Sequence, residues 1–238
     1  MFYQMPKNFL WGAASAAYQV EGGATADGRG PSIWDTFCKK PGVIKNGASG
    51  DNACWSYQRW AEDVQLLKNL GVQTYRFSIS WPRVLPEGRG RINEKGMTYY
   101  SRLIDALLKN KIKPYVTLYH WDLPQALQDT GGWESRATAE AFAEYAELMV
   151  QRFGDRVKNW ITFNEIPTGI GKGYELGIYS PGLMVKPKAL AQIYHHVLVA
   201  QGLGILAMRA ARSGQKIGIA HDPITPVPVI EDNLPSGW

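Results

Sequence analysis

Short runs of β-branched and aromatic residues alternate along this chain with longer amphipathic stretches, and that alternation limits the folds open to it. Phe9–Ala14 reads as a first strand, Gln73–Ser80 as a second, Lys113–His120 as a third, Lys158–Asn164 as a fourth and Lys216–His221 as a fifth. Between them helices are predicted over Tyr57–Leu70, Lys95–Asn110, Thr138–Phe153 and Pro187–Arg212, with Gly71, Gly154 and Gly214 placed where helices commonly end. Strand, helix, strand in unbroken repetition is the pattern of an α/β fold with a parallel sheet. Parallel neighbours need a connection long enough to bring the chain back to the same end. No linker interrupts the series and no repeat other than the βα unit is visible, so residues 1–238 are expected to form one domain.

The spacing narrows the fold further. From the second strand to the fifth, each unit takes about 48 residues, so eight such units closed into a (β/α)8 barrel of the TIM type need on the order of 380. The 238 residues hold about four units plus a fifth strand, which is the expectation for half a barrel. Strands one and five are then open edges, and the inward face of the sheet is uncovered. The segments after the strands, 21–50, 81–94, 120–135 and 165–186, are long and rich in Gly, Pro and Trp. Loops at the carboxyl ends of parallel strands are where such folds build their sites.

With 45% hydrophobic residues, the chain has the material for a real core and is neither a disordered tail nor a disulfide-rich miniprotein. The 26 Lys+Arg exceed the 21 Asp+Glu, but the excess is dispersed. Its densest stretch, Lys109–Lys113, falls at a predicted helix end where cations are at home, so nucleic acid is not an expected partner. Cys38 and Cys54 form no CxxC pattern and are expected to be reduced thiols, with no metal site. The first residues lack the basic start and apolar stretch of a signal peptide, and a cytoplasmic location is expected. Ala189–Met208 has no charge and is long enough to span a bilayer, yet it carries Gln192, His195, His196 and Gln201. A buried core helix, with no membrane partner, is the expectation there. His195 and His196 point about 100° apart on a helix and do not make a zinc pair. The 9 Trp and 12 Tyr either stack on ring-shaped ligands or simply pack.

Polar side chains gather at the strand ends. Gln19 and Glu21 follow the first strand and Trp81 and Arg83 the second. His120, Trp121 and Asp122 follow the third, Asn164 and Glu165 the fourth, and His221 and Asp222 the fifth. Amides, an imidazole, carboxylates and indoles on one rim make a pocket suited to a polyhydroxylated ligand. Glu165 follows the apolar run Trp160-Ile-Thr-Phe-Asn164. It is either a carboxylic acid kept protonated by an apolar wall, as a general acid must be, or a carboxylate capping nearby backbone. The glycines at 169, 171 and 173 lack the Gly-Lys-Ser/Thr of a phosphate loop and read as a flexible rim. No serine sits in a Gly-x-Ser-x-Gly elbow.

Four segments carry a resemblance. They are Phe9-Leu-Trp-Gly-Ala-Ala-Ser-Ala-Ala-Tyr-Gln-Val-Glu-Gly-Gly with Asp27-Gly-Arg-Gly-Pro-Ser-Ile-Trp-Asp-Thr-Phe37, Tyr75-Arg-Phe-Ser-Ile-Ser-Trp-Pro-Arg83, His120-Trp-Asp-Leu-Pro-Gln125 with Gly131-Gly-Trp133, and Trp160-Ile-Thr-Phe-Asn-Glu165. In this order they resemble glycoside hydrolase family 1, the β-glucosidase family, from about Phe9 to about Ile219. The resemblance implies a (β/α)8 barrel that hydrolyses β-glycosides with retention, using two glutamates and no cofactor. It implies Glu165 as the acid/base, Asn164 on the sugar 2-hydroxyl, Gln19 and His120 on glycone hydroxyls, and Trp121 flanking the same subsite. Arg76 would pair with the nucleophilic glutamate.

The family's nucleophile lies in a Thr-Glu-Asn-Gly motif on a late strand, and that motif is missing; the nearest string, Ile230–Asn233, stands in a Pro-rich tail. The later glutamate and tryptophan of the glycone subsite are also missing. Ile166 stands where the family usually has proline, which comes here at Pro167, and Trp55 stands where aspartate is common. These two departures bear on substrate preference more than on reaction class. The isolated chain is therefore expected to be inactive, and its partner is a C-terminal half or a second copy. The alternative is a non-catalytic half-barrel that binds sugar weakly or serves a structural role.

Overall fold

A computed structural model describes residues 4–222. Five strands, β1 (Gly12–Ala14), β2 (Thr74–Ser78), β3 (Lys113–Tyr119), β4 (Asn159–Asn164) and β5 (Lys216–Ala220), form one sheet in sequence order, and every pair is parallel. The long connecting helices are α1 (Ser56–Leu70), α2 (Glu94–Lys109), α3 (Arg136–Phe153) and α4 (Pro187–Ala211). Strand order never reverses, and crossovers share one hand, so the helices fall on one face of the sheet. Each lies beside the next: α1 packs on α2, an Arg152–Glu94 ion pair ties α3 to α2, Arg156 just after α3 pairs with Asp105 of α2 (2.6 Å), and α3 packs on α4 along its length.

The core sits between β2–β4 and these helices. Trp81, Trp133 and Trp160 are buried in it, and Trp81 stacks on Tyr145 at 4.8 Å and 8° between planes. These indoles pack, which resolves part of the aromatic excess in favour of the core.

The predicted elements stand within two residues of those observed, with one exception. The first strand is Gly12–Ala14 rather than Phe9–Ala14. Its one neighbour is β2, whose ladder begins at Thr74; the Trp11 carbonyl already accepts from Gln73 and Thr74, and α1 has ended at Gly71 just before. Phe9, Leu10 and Trp11 have no strand to run beside and are exposed.

Two further expectations are corrected. Pro187–Ala211 is long and apolar enough to cross a membrane by length and composition, and the sequence predicts a buried core helix there. Instead it buries one stripe, Ile193, Val197, Ala200, Gly204 and Met208, at helical spacing, and leaves Leu198 (61%) and Leu206 (65%) exposed. Gly204 permits the close contact, since a Cβ there would stand 2.7 Å from Phe142 Cε1 of α3. The glycines at 169–173 form no loose rim: Ile166–Ile170 is a helical turn, and Gly171–Glu175 continues it as a π-type turn. Ile230–Asn233 lies outside the described residues.

Candidate active site

Arg76 projects from β2 across the end of the sheet. Its Nε donates to Thr117 Oγ1 on β3 (3.0 Å), and its Nη2 donates to Asn164 Oδ1 on β4. Burial lowers the affinity of this guanidinium for its proton, and the Glu165 carboxylate pulls it back up. Glu165 thus stands within electrostatic reach of Arg76. It occupies the N-cap of Ile166–Ile170 at φ 44°, ψ 62°, a left-handed conformation that costs a non-glycine residue about 1–3 kcal/mol. Its backbone N–H is held by the Ala220 carbonyl at 2.8 Å, which ties β4 to β5. The side chain makes no capping hydrogen bond, so of the two sequence readings the capping carboxylate is the one not realised.

Trp121 joins this platform to a cleft of about 420 Å³. The indole Nε1 donates to the Asn164 carbonyl at 2.8 Å, and the residue itself is left-handed at φ 69°. The ring needs Gly169 beneath it, where a Cβ would approach Trp121 Cδ1 to 2.7 Å. Gln19, exposed, and His120, half-buried, line the cleft with Trp121, Trp34 and Tyr179. His120 Nδ1 is buried without a hydrogen-bond partner, and burial together with the Arg76 charge pushes the imidazole pKa down to about 4. At neutral pH this ring is uncharged, with one donor and one acceptor nitrogen for a hydroxyl-bearing ligand.

All six predicted site residues therefore lie at this end of the sheet, Arg76, Asn164 and Glu165 on the platform and Gln19, His120 and Trp121 on the cleft. Other rim residues turn away. Glu21, Trp81, Arg83 and Asp122 are buried. Glu21 accepts from Arg83 Nε (2.7 Å) and Tyr100 Oη (2.5 Å). Asp122 has both carboxylate oxygens unpaired, and burial pushes its pKa up to about 7 despite Arg29, with Glu21 adding to the rise. Asp222 accepts from Thr168 Oγ1 rather than facing the cleft. Sequence reasoning missed Trp34, Thr117 and Tyr179; Trp34 lay within the quoted Asp27–Phe37 segment, but nothing in the sequence set it apart from a packing tryptophan.

The family model described as glycosyl hydrolase family 1 matches residues 1–235. Beta-glucosidase A of Thermotoga maritima is 50% identical over 219 residues, which are 92% of this chain and 49% of that protein. A 1,4-beta-D-glucan glucohydrolase of Thermotoga neapolitana is 47% identical over 92% of this chain and 51% of its own length. Among solved structures, a family 1 β-glucosidase from Thermotoga maritima superposes with a TM-score of 0.93 at 48% identity, covering 95% of this chain and 51% of that one. The same organism's beta-glucosidase in complex with deoxynojirimycin gives 0.89 at 49% identity, over 91% and 50%. The chain spans about half the length of these relatives. Its five strands and helices correspond to half of their TIM barrel.

Proposed function

The chain belongs to glycosyl hydrolase family 1, and on that premise we propose that it is the N-terminal half of a retaining β-glycosidase, acting on β-glucosides with Glu165 as its acid/base. The observation that carries this reading is the platform: an arginine reaching across two strands to an asparagine, with an uncapped glutamate beside it and a neutral histidine in the adjoining cleft. Glu165 gives its proton to the leaving glycosidic oxygen, then takes one from the water that releases the sugar. Asn164 holds the 2-hydroxyl, a contact that strengthens as the ring flattens toward the oxocarbenium-like transition state. Gln19 and the uncharged His120 bond glycone hydroxyls, and Trp121 closes the same subsite. Arg76, half-buried, is the cation that keeps an incoming nucleophilic carboxylate ionised.

Retention needs that second carboxylate about 5–5.5 Å from the first. Among the described residues Arg76 forms no ion pair and Glu165 is the carboxylate whose charge acts on it, which supports the reading that the chain by itself does not complete the double displacement. Among the described residues β1 and β5 each have a strand on one side only, which supports a partner that closes the barrel, either a C-terminal half or a second copy. Free Cys38 and Cys54 support a cytoplasmic location.

The test is hydrolysis of p-nitrophenyl β-glucoside by the chain alone and together with the C-terminal half of the Thermotoga maritima relative, with Glu165→Gln as control. Activity only in the mixture, reduced about 10²–10⁴-fold by the control, is expected. Hydrolysis by the chain alone overturns the missing-nucleophile account. A folded but silent mixture favours the non-catalytic half-barrel.

A further inference from the structure

A second cleft, of about 410 Å³, lies on the helical face between α1, α2 and the turn at Ala26–Gly28. Its wall is aromatic, with Tyr57 and Trp60 from α1 and Tyr99 from α2. The Tyr57 and Tyr99 rings are 4.7 Å apart and tilted by 53°, and the Arg83 guanidinium sits 4.0 Å from the centre of the Tyr57 ring. Hydrogen-bonding capacity is left unspent around it. Among the described residues no protein group pairs with the Trp60 indole N–H, the Tyr99 hydroxyl or the Arg102 guanidinium. Acceptors face the same space: Asp27, held by Lys95 Nζ (3.0 Å) and Tyr57 Oη (2.8 Å), and Glu94, paired with Arg152. Two acids and two bases line the cleft, and with Asp27 on Lys95 and Glu94 on Arg152 the Arg102 guanidinium is the charge left for a ligand.

An aromatic wall rimmed by spare donors and acceptors fits a ring that is apolar on its face and hydroxylated at its edge. We infer that this outer cleft is a second carbohydrate site, binding a neutral pyranoside against Trp60, with its hydroxyls on Arg102, Tyr99, Asp27 and Glu94. It lies behind the first site rather than within it. Arg83, which backs Tyr57, bonds Glu21 and the Gly22 carbonyl (2.8 Å) on the segment that carries Gln19.

The test is a titration of the chain, ¹⁵N-labelled at tryptophan, with cellobiose, following the indole signals, with Trp60→Phe identifying the one that belongs to Trp60. The readout is binding at Trp60 and needs no hydrolysis, so it stands apart from the proposed activity. The Trp60 signal is expected to move saturably in the millimolar range. Arg102→Ala should weaken the response about ten-fold, and the Gln19→Ala/His120→Ala double variant should leave it in place. No movement up to about 100 mM cellobiose overturns the inference. So does a response that disappears with Gln19 and His120, which assigns it to the first cleft, or one that is indifferent to Arg102→Ala. Stronger binding of glucose 6-phosphate than of cellobiose overturns the neutral ligand class.

Discussion

β3 lies between two neighbours and buries five of its seven residues, whereas β5, at the end of the sheet, buries none of its five and β1 none of its three. The residue types do not explain the contrast, because Ile217 and Ile219 of β5 are as suited to a strand as Val116 and Leu118 of β3. A strand forms where one neighbour offers a ladder; its side chains are buried only where something lies across from them as well. The same holds one layer out, where α3 buries nine of its eighteen residues while α4 presents Leu198 and Leu206 to solvent.

The sharpest way to break this comparison is a pair of truncations followed by urea unfolding. Trp81→Ala, in the enclosed centre, should cost about 3–5 kcal/mol. Ile219→Ala, 44% exposed on the edge, should cost less than about 1 kcal/mol. Equal losses would mean that β5 is covered after all.

A second test uses the two titrating residues at the end of β3, which pull in opposite directions. Asp122, raised from its ordinary 3.8 to about 7, favours the folded state at low pH and loses that contribution as pH rises from about 4 to 7. His120, lowered from 6.5 to about 4, penalises the folded state as pH falls through the same window. In the unaltered chain the two trends offset each other. Melting temperature should therefore rise with pH between about 4 and 6.5 in Asp122→Asn, and fall with pH between about 4 and 7 in His120→Gln. Parallel curves in both variants would rule out the assignment.

Smaller effects separate the two faces of α4. Gly204→Ala should destabilise by about 1–2 kcal/mol, the crowding against Phe142 outweighing the gain in helix propensity. Gly202→Ala, with nothing within 4 Å, should stabilise by up to about 1 kcal/mol. Thermal melts of the two variants decide it.

The fold was legible because the signals that define it are local: periodicity, glycine stops and the spacing of the units. The exceptions are long-range. Phe9–Trp11 has the composition of a strand, but whether β2 extends far enough to pair with it cannot be read from those residues. Position after a strand end did not separate Gln19, which faces the cleft, from Glu21, which is buried, because that outcome depends on Arg83, 62 residues away. The six candidate site residues were identifiable by type and by family resemblance. Their assembly was not: Arg76 meets Asn164 across 88 residues, and Trp121 reaches the Asn164 carbonyl only through a left-handed backbone.

The strand order β1-β2-β3-β4-β5 also has a consequence in time. Every strand after the first finds its partner among residues already made, so the sheet can grow in the order of synthesis, each βα unit laid against the last. At every stage the newest strand is the unpaired edge, first β2, then β3, then β4. Among the described residues β5 is the last such front, and its one neighbour is β4, the strand made just before it.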